Sequence, residues 1–251
     1  MASGEHPLSF NDRAARMLAR ISYRRALDDR TRDEIFRLRH DGYVRDGGIE
    51  PQASGRFCDP WDDVPNADLI GVYLDDRIAG TVRVHVSGPH DDVPGSDPFG
   101  DVLKPFFDRG LVLVDATRFV IDYQHAAFSA EMPFLTLRAV AMAAEHAGAY
   151  GMIAAVRREH AVVYRRVTDH RALCEPRAYP LLRKPIVCMV AETAALENGA
   201  YARHPFLRST PEERERLFGP RVPKPRTVPS DAGAIADFAT GSGVSDGNMR
   251  P

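Results

Sequence analysis

Between Val112 and Val167 the apolar positions change spacing three times, and the change predicts strand, helix, strand, helix. The run LVLVDATRFVI is strand material, yet it carries Asp115 and Arg118 in mid-run, where charges need partners or a job. Residues three apart on a regular strand face opposite sides, so a β-bulge between them is needed to bring both onto one face. We place that bulge at Ala116 or Thr117. The helix that follows opens with Ser129 as N-cap and Glu131 and Pro133 in its first turn, then carries Phe134, Leu137, Ala141 and Ala144 at helical spacing. With Leu135, Ala139 and Met142 on the adjoining stripe it is apolar almost all round, so it packs on a sheet and is mostly covered. Gly148 ends it, Gly151 to Val156 forms a short buried strand, and a helix bearing Tyr164 comes next.

Upstream, Asn11 to Leu27 reads as an arginine-rich surface helix capped by Asn11, and Thr31 to Tyr43 as a helix with a Thr31/Glu34 capping box and Gly42 at its end. The stretch RDGGIEPQASGRFCDPWDDVPNAD is too long for a bare connector and is expected to be a functional loop. Leu69 to Leu74 and Ile78 to Val86 flank Asp75-Asp76-Arg77 as a hairpin; Val82, Val84 and Val86 share one face, and Thr81, Arg83 and His85 the other. The turn-rich segment Ser87 to Gly110 suggests a flap or crossover. Pro185 to Ala191 reads as one more strand, and Ser209 or Thr210 caps a late helix. The chain divides into an N-terminal helical extension (1–28), one main domain (29–219) and a disordered tail (220–251) with little to bury.

Composition narrows the function classes. Of 251 residues, 44% are hydrophobic and 27% charged, ordinary for one large globular domain. A net charge of −2 gives no general field for nucleic acid. The 3 cysteines, Cys58, Cys174 and Cys188, include no CxxC pair, so neither a disulfide framework nor a zinc site is indicated, no metal is expected, and a reducing cytoplasm is the natural setting. No run approaches the ~20 apolar residues of a membrane span, and the first residues lack an apolar export core, so a soluble, unprocessed protein is expected.

The order of these features carries a resemblance. A helix with Arg39 in LRHDGYV, an acidic loop with Asp59-Pro60-Trp61-Asp62, a strand with Gly80-Thr81-Val82-Arg83, and Asp115-Ala116-Thr117-Arg118-Phe119 are followed by helix, strand and the Tyr164 helix. The set resembles the GNAT acyltransferase superfamily, within it the acyl-homoserine-lactone synthases, and more closely the long-chain N-acyl amino acid synthases. The pieces FGDVLKPFFDRGLVLVDATRFV, RAYPLLRKP and HPFL favour the latter branch. The resemblance implies an α/β fold: a central mixed, mostly antiparallel twisted sheet with helices on both faces. It implies transfer of a long-chain acyl group from a thioester to the α-amino group of an amino acid, with no tightly bound cofactor. Two alternatives stay open: an acyl-homoserine-lactone synthase using S-adenosylmethionine, and a non-catalytic module that binds an acyl arm.

Two departures from the superfamily pattern matter. Where coenzyme A users carry a glycine-rich loop, this chain reads AAFSAEMPF, leaving Phe128, Ser129 and Ala130 to meet the donor arm. A helix N-terminus there can hold one phosphate, while Glu131 opposes a second, which favours the phosphopantetheine of an acyl carrier protein over acyl-CoA. Asp115 stands where a glutamate is common. On this resemblance Asp115 takes the amine proton through a water, bulge N–H groups hold the oxyanion, and Tyr164 protonates the leaving thiolate. Arg83 and Arg118 anchor the acceptor's carboxylate or order the acidic loop; Asp59 and Asp62 face Arg39 or the acceptor amine; Trp61 and Phe119 join the substrate pocket. Without the ordered motifs, Asp115 and Arg118 read as a structural ion pair. His85, His125 and His160 read as ordinary histidines, and Arg157, Arg158, Arg165, Arg166 and Arg171 as solvated surface or a landing place for an acidic carrier protein. The acceptor's identity, the acyl length and the oligomeric state are not written in the sequence.

Overall fold

A computed structural model of the chain describes residues 7–88, 92–178 and 184–220, without the side chains of 126–128. The tail expected to be disordered lies outside the described residues beyond Pro220. In chain order the elements are α1 (Phe10–Leu18), β1 (Ile21–Arg25), α2 (Asp29–Arg45), a 3-10 turn at Pro60–Asp62, β2 (Ala67–Leu74), β3 (Arg77–Val86), α3 (Ser96–Asp108) and β4 (Leu113–Ile121). There follow α4 (Tyr123–Phe128), α5 (Met132–Ala147), β5 (Gly151–Arg157), α6 (Ala161–Thr168), β6 (Arg171–Ala172), β7 (Ile186–Glu192), α7 (Ala200–Arg203) and α8 (Pro211–Phe218).

The strands form one sheet in the order β1-β2-β3-β4-β5-β7-β6. Every pairing is antiparallel except β4 with β5. The hairpin between β2 and β3 turns through Asp75 and Asp76 at φ 47° and 63°, the left-handed pair that matches the twist of the flanking strands. Along β3 the two expected faces separate: Val82 and Val84 enter the main core, while Arg83 and His85 turn toward α2 and the 3-10 turn.

Helix α5 lies across β3 and β4 on the valine face, with Leu135, Leu137, Val140 and Ala144 buried in that core. Its C-terminus closes at Gly148 in the left-handed conformation, as the sequence indicates. The opposite face is covered by α2, through Ile35 and Phe36 on Leu69, and by α3, through Phe99, Leu103 and Phe106 against Leu113, Ile153 and Cys188. Helices on both faces of a mixed, mostly antiparallel sheet are the architecture expected.

Local expectations changed in several places. The stretch 11–27 is not one helix: α1 ends at Leu18, and Ile21–Arg25 pairs with β2 as an edge strand. Ser9 caps α1 in place of Asn11, and Asp28 caps α2, accepting from the Thr31 N–H. Gly42 does not end α2; it lies inside it because Val120 packs where a Cβ would stand. The N-cap of α5 is Glu131, and Ser129 instead donates its hydroxyl to Glu131 Oε2 at 3.1 Å. The turn-rich segment before β4 holds α3, whose backbone is broken at Phe99, next to Pro98.

The bulge is present one residue beyond its expected place. Arg83 pairs with Thr117 and Thr81 with Val120, so Val82 stands opposite both Arg118 and Phe119. Arg118 takes up the extra length at φ 53°, a left-handed conformation that costs a non-glycine residue roughly 1–2 kcal/mol.

Candidate active site

The bulge gives the acidic loop something to hold. Arg118 donates through Nε (2.9 Å) and Nη2 (2.5 Å) to Asp59 Oδ2, and its guanidinium lies over the Phe57 ring, 4.7 Å from the centroid. Arg83 donates from Nη1 to Asp59 Oδ1 (2.7 Å) and Asp62 Oδ1 (2.9 Å), and from Nε to Thr117 Oγ1 (3.0 Å). Arg39, fully buried in α2, completes the set with a 2.7 Å bond to Asp62 Oδ1. Three arginines from α2, β3 and β4 thus clamp two carboxylates of one 3-10 turn. Burial works against ionisation of Asp59, but Arg118 and Arg83 more than offset it and hold the carboxyl at about 2. Asp62 is lowered in the same way, against its burial, by Arg39 and Arg83.

Arg83 and Arg118 are taken up by Asp59 and Asp62, so they order the acidic loop. Nor are Asp115 and Arg118 a mutual ion pair. Asp115 is fully buried, accepts from the Gly95 N–H at 2.8 Å, and has Oδ1 without a partner. Burial, only partly countered by Gly95 and Arg83, pushes its carboxyl up to about 6. Trp61 is half-buried; its ring meets His85 edge-on at 5.6 Å, and its carbonyl receives His85 Nε2 at 2.9 Å.

Beside this network lies a cavity of about 720 Å³. It exists because β4 and β5 stay paired only from Leu113/Gly151 to Ala116/Ala154 and then part. The β5-facing edge of β4 from Thr117 to Ile121 lines one wall, the end of α2 another, and Val163 and Tyr164 of α6 a third. Its lining is mainly apolar, with Arg45, Arg157 and Lys184 among its charged residues, and the volume falls within the ~300–1,000 Å³ common for small-molecule sites.

Arg118, Phe119 and Tyr164 line the cavity; Arg39, Asp59, Asp62, Arg83 and Trp61 do not, and the clamp reaches it through Arg118 and Thr117. Asp115, next to lining residue Ala116, points its carboxylate to the other side of the strand, toward Gly95. Tyr164 packs on Phe119 at 6.1 Å, donates no hydrogen bond among the described residues, and has its hydroxyl pKa raised by burial and by the nearby Tyr43 and Asp115. Ser129 and Ala130 lie outside the lining, while Pro133 of α5 is part of it. The Phe128 side chain lies outside the described residues.

Glu131 does not stand as a free negative charge at the start of α5. Arg13 of α1 donates to it at 2.7 Å and holds its carboxyl below the usual range despite burial. Sequence reasoning passed over Tyr43, which lies within 3.4 Å of Arg118 Nη1 and lines the cavity, and Phe57 beneath the same guanidinium. Tyr43 stands in the LRHDGYV motif and was within reach; Phe57 had no local signal.

Residues 34–192 match the family model described as the N-acyl amino acid synthase FeeM. The chain belongs to this family. It is an acyltransferase with a GNAT-like fold. The structure of FeeM, an N-acyl amino acid synthase from uncultured soil microbes, superposes with a TM-score of 0.62 at 14% identity over 73% of this chain and 96% of that one. BjaI, a CoA-dependent acyl-homoserine lactone synthase, gives 0.55 at 14% identity over 76% and 92%. The homoserine-lactone synthase LasI gives 0.53 at 13% over 82% and 98%. At these identities the likeness is one of fold. No curated protein matches the chain by sequence. Among the described residues no group of acidic, histidine and cysteine side chains could hold a metal, and no helix is long and apolar enough to cross a membrane.

Proposed function

We propose that the protein transfers a long-chain acyl group from the phosphopantetheine thioester of an acyl carrier protein to the α-amino group of an amino acid. The observation that carries this reading is the mainly apolar cavity opened where β4 and β5 part, with Arg118 and Tyr164 on its walls. A thioester arm entering between the strands can add to the free edge of β4, and the acyl chain finds an apolar lining beyond it. Family membership supports amide formation on an amino acid.

In this reading the β4 N–H groups near the bulge stabilise the tetrahedral oxyanion, the term that usually dominates acyl transfer. Asp115 is the base in this reading, and because its carboxylate turns away from the cavity toward Gly95, the ammonium proton reaches it by a water relay that passes β4; a carboxyl held at about 6 suits neutral pH. Tyr164, with its proton firmly retained, delivers one to the leaving thiolate. The clamp of Arg39, Arg83 and Arg118 on Asp59 and Asp62 fixes the bulge and with it the oxyanion donors. Arg158, Arg165 and Arg166 are exposed and make no side-chain ion pair among the described residues, so they suit an acidic carrier protein. Arg157 and Arg171 leave the suggested landing place, the first for Asp46 and the second for the neighbourhood of Glu192.

The test is thiol release and product mass from purified protein given palmitoyl carrier protein or palmitoyl-CoA, each with a mixture of amino acids. An N-palmitoyl amino acid formed faster from the carrier protein supports the reading. Formation only from coenzyme A overturns the donor, and an acyl lactone formed on addition of S-adenosylmethionine overturns the acceptor.

A further inference from the structure

With Arg83 and Arg118 committed to Asp59 and Asp62, and Arg39 to Asp62, the clamp offers no partner to the α-carboxylate of an amino acid. A carboxylate taken out of water needs a cation, so one must come from elsewhere on the cavity wall. The other cations there are Arg45, Arg157 and Lys184. Arg45 is exposed and lies over the Tyr123 ring, 4.6 Å from the centroid, and Lys184 is exposed and pairs with Glu159 at 3.3 Å.

Arg157 differs from both. It is the last residue of β5, beyond Ala154 where the pairing with β4 ends, and its side chain is 21% exposed. Its guanidinium joins two walls of the cavity: Nη2 donates at 2.9 Å to Oδ2 of Asp46, the residue that follows α2, and lies 3.1 Å from Nε2 of His160, which precedes α6. Arginine only donates, so Nε2 is the bare ring nitrogen, and His160 steadies the guanidinium without competing for its charge. Asp46, Arg157 and His160 all line the cavity. The Asp46 carboxylate is replaceable, since its side chain is 53% exposed and an ion pair so open to water contributes little to stability. A second carboxylate that takes its place exchanges one arginine contact for another and lets Asp46 return to water.

We propose that Arg157 is the anchor for the acceptor's α-carboxylate, and that Asp46 occupies this place until the amino acid arrives. The inference rests on the amide-forming reading above and deepens it by naming what selects an amino acid over a simple amine. An acceptor tethered at the β5 side of the opening leaves its amine facing β4, where that reading places the thioester. A simple amine lacks the group that displaces Asp46.

The two partners of this ion pair test the proposal in opposite directions. If the pair only braces the walls, Asp46→Asn and Arg157→Gln do the same damage; if Asp46 holds the substrate's place, removing it helps and removing Arg157 harms. The experiment is calorimetric titration of the full-length protein with N-dodecanoylglycine and with its methyl ester, which keeps the chain and the amide but carries no charge. The wild type is expected to bind the acid about tenfold more tightly than the ester. Arg157→Gln should lose that preference and Asp46→Asn should increase it, with the ester bound alike by all three proteins. Equal binding of acid and ester by the wild type, a preference that survives in Arg157→Gln, or a preference lost in Asp46→Asn overturns the anchor. Binding needs no turnover, so the two readings fail separately. Acid-selective binding without amide synthesis leaves the anchor standing and removes the acyl transfer, whereas binding of neither compound removes the acyl cavity and the anchor together. In the acyl-transfer assay Arg157→Gln should raise KM for the amino acid about tenfold with KM for the acyl donor nearly unchanged; a KM for the amino acid that does not move contradicts the anchor.

Discussion

At the scale of single residues, the clamp and the base have opposite effects on stability. Asp62 receives two arginines in a dry interior, so Asp62→Asn leaves Arg39 and Arg83 short of charge and should destabilise the protein by about 3–5 kcal/mol, read as a lower urea midpoint. Asp59, held at about 2, adds stability that is present above its unfolded value of 3.8 and lost as pH falls through 2. Asp115 runs the other way. Its folded value of about 6 lies above 3.8, so its contribution is complete below 3.8 and is lost as pH rises through 6. Between pH 5 and pH 7 the wild type should therefore lose roughly 1 kcal/mol more stability than Asp115→Asn, by paired denaturation curves. If the two proteins respond alike to pH, Asp115 is not the buried, raised carboxyl described here.

At the scale of elements, the bulge and the approach of α2 to β4 place the site. A Cβ on Gly42 would stand 2.5 Å from Val120 Cγ1, and both residues line the cavity. Gly42→Ala should destabilise by about 1–3 kcal/mol and weaken acyl-donor binding, checked by thermal melting and KM; an unchanged melting temperature would show that α2 has room to move. The β2–β3 hairpin, the two faces of β3, the apolar α5 and the need for a bulge were legible because each is written in short-range spacing. The edge strand β1 was not, since Ile21–Arg25 is made a strand by its partner β2 and not by its own pattern. Helix α3 was hidden by Pro98, Gly100 and Pro105, local breakers overruled by burial of Phe99, Leu103 and Phe106. The bulge moved by one residue because register is fixed by the pairing of Arg83 with Thr117, which no local pattern records.

At the scale of the whole molecule, the sheet is two sets of strands joined by the short parallel pair β4–β5, and the cavity is the opening where that pair ends. The acid–arginine set was legible because its residues recur in ordered short motifs. The burial of Asp115 and the stacking of Phe57 under Arg118 arise only once distant segments meet. The cavity's lining makes a further prediction: Ala155→Phe, on β5 inside the opening, should shift products toward shorter acyl chains, measured by offering carrier proteins loaded with several lengths at once. An unaltered length profile would place the chain elsewhere. The central claim is amide formation between a long acyl group and an amino acid, and mass spectrometry of lipid extracts from cells producing this protein or its Asp115→Asn variant tests it most directly. Fatty acyl amides of an amino acid are expected in the first extract and at most traces in the second; soluble, folded wild-type protein with no new amide, or with acyl lactones in its place, would contradict amide formation.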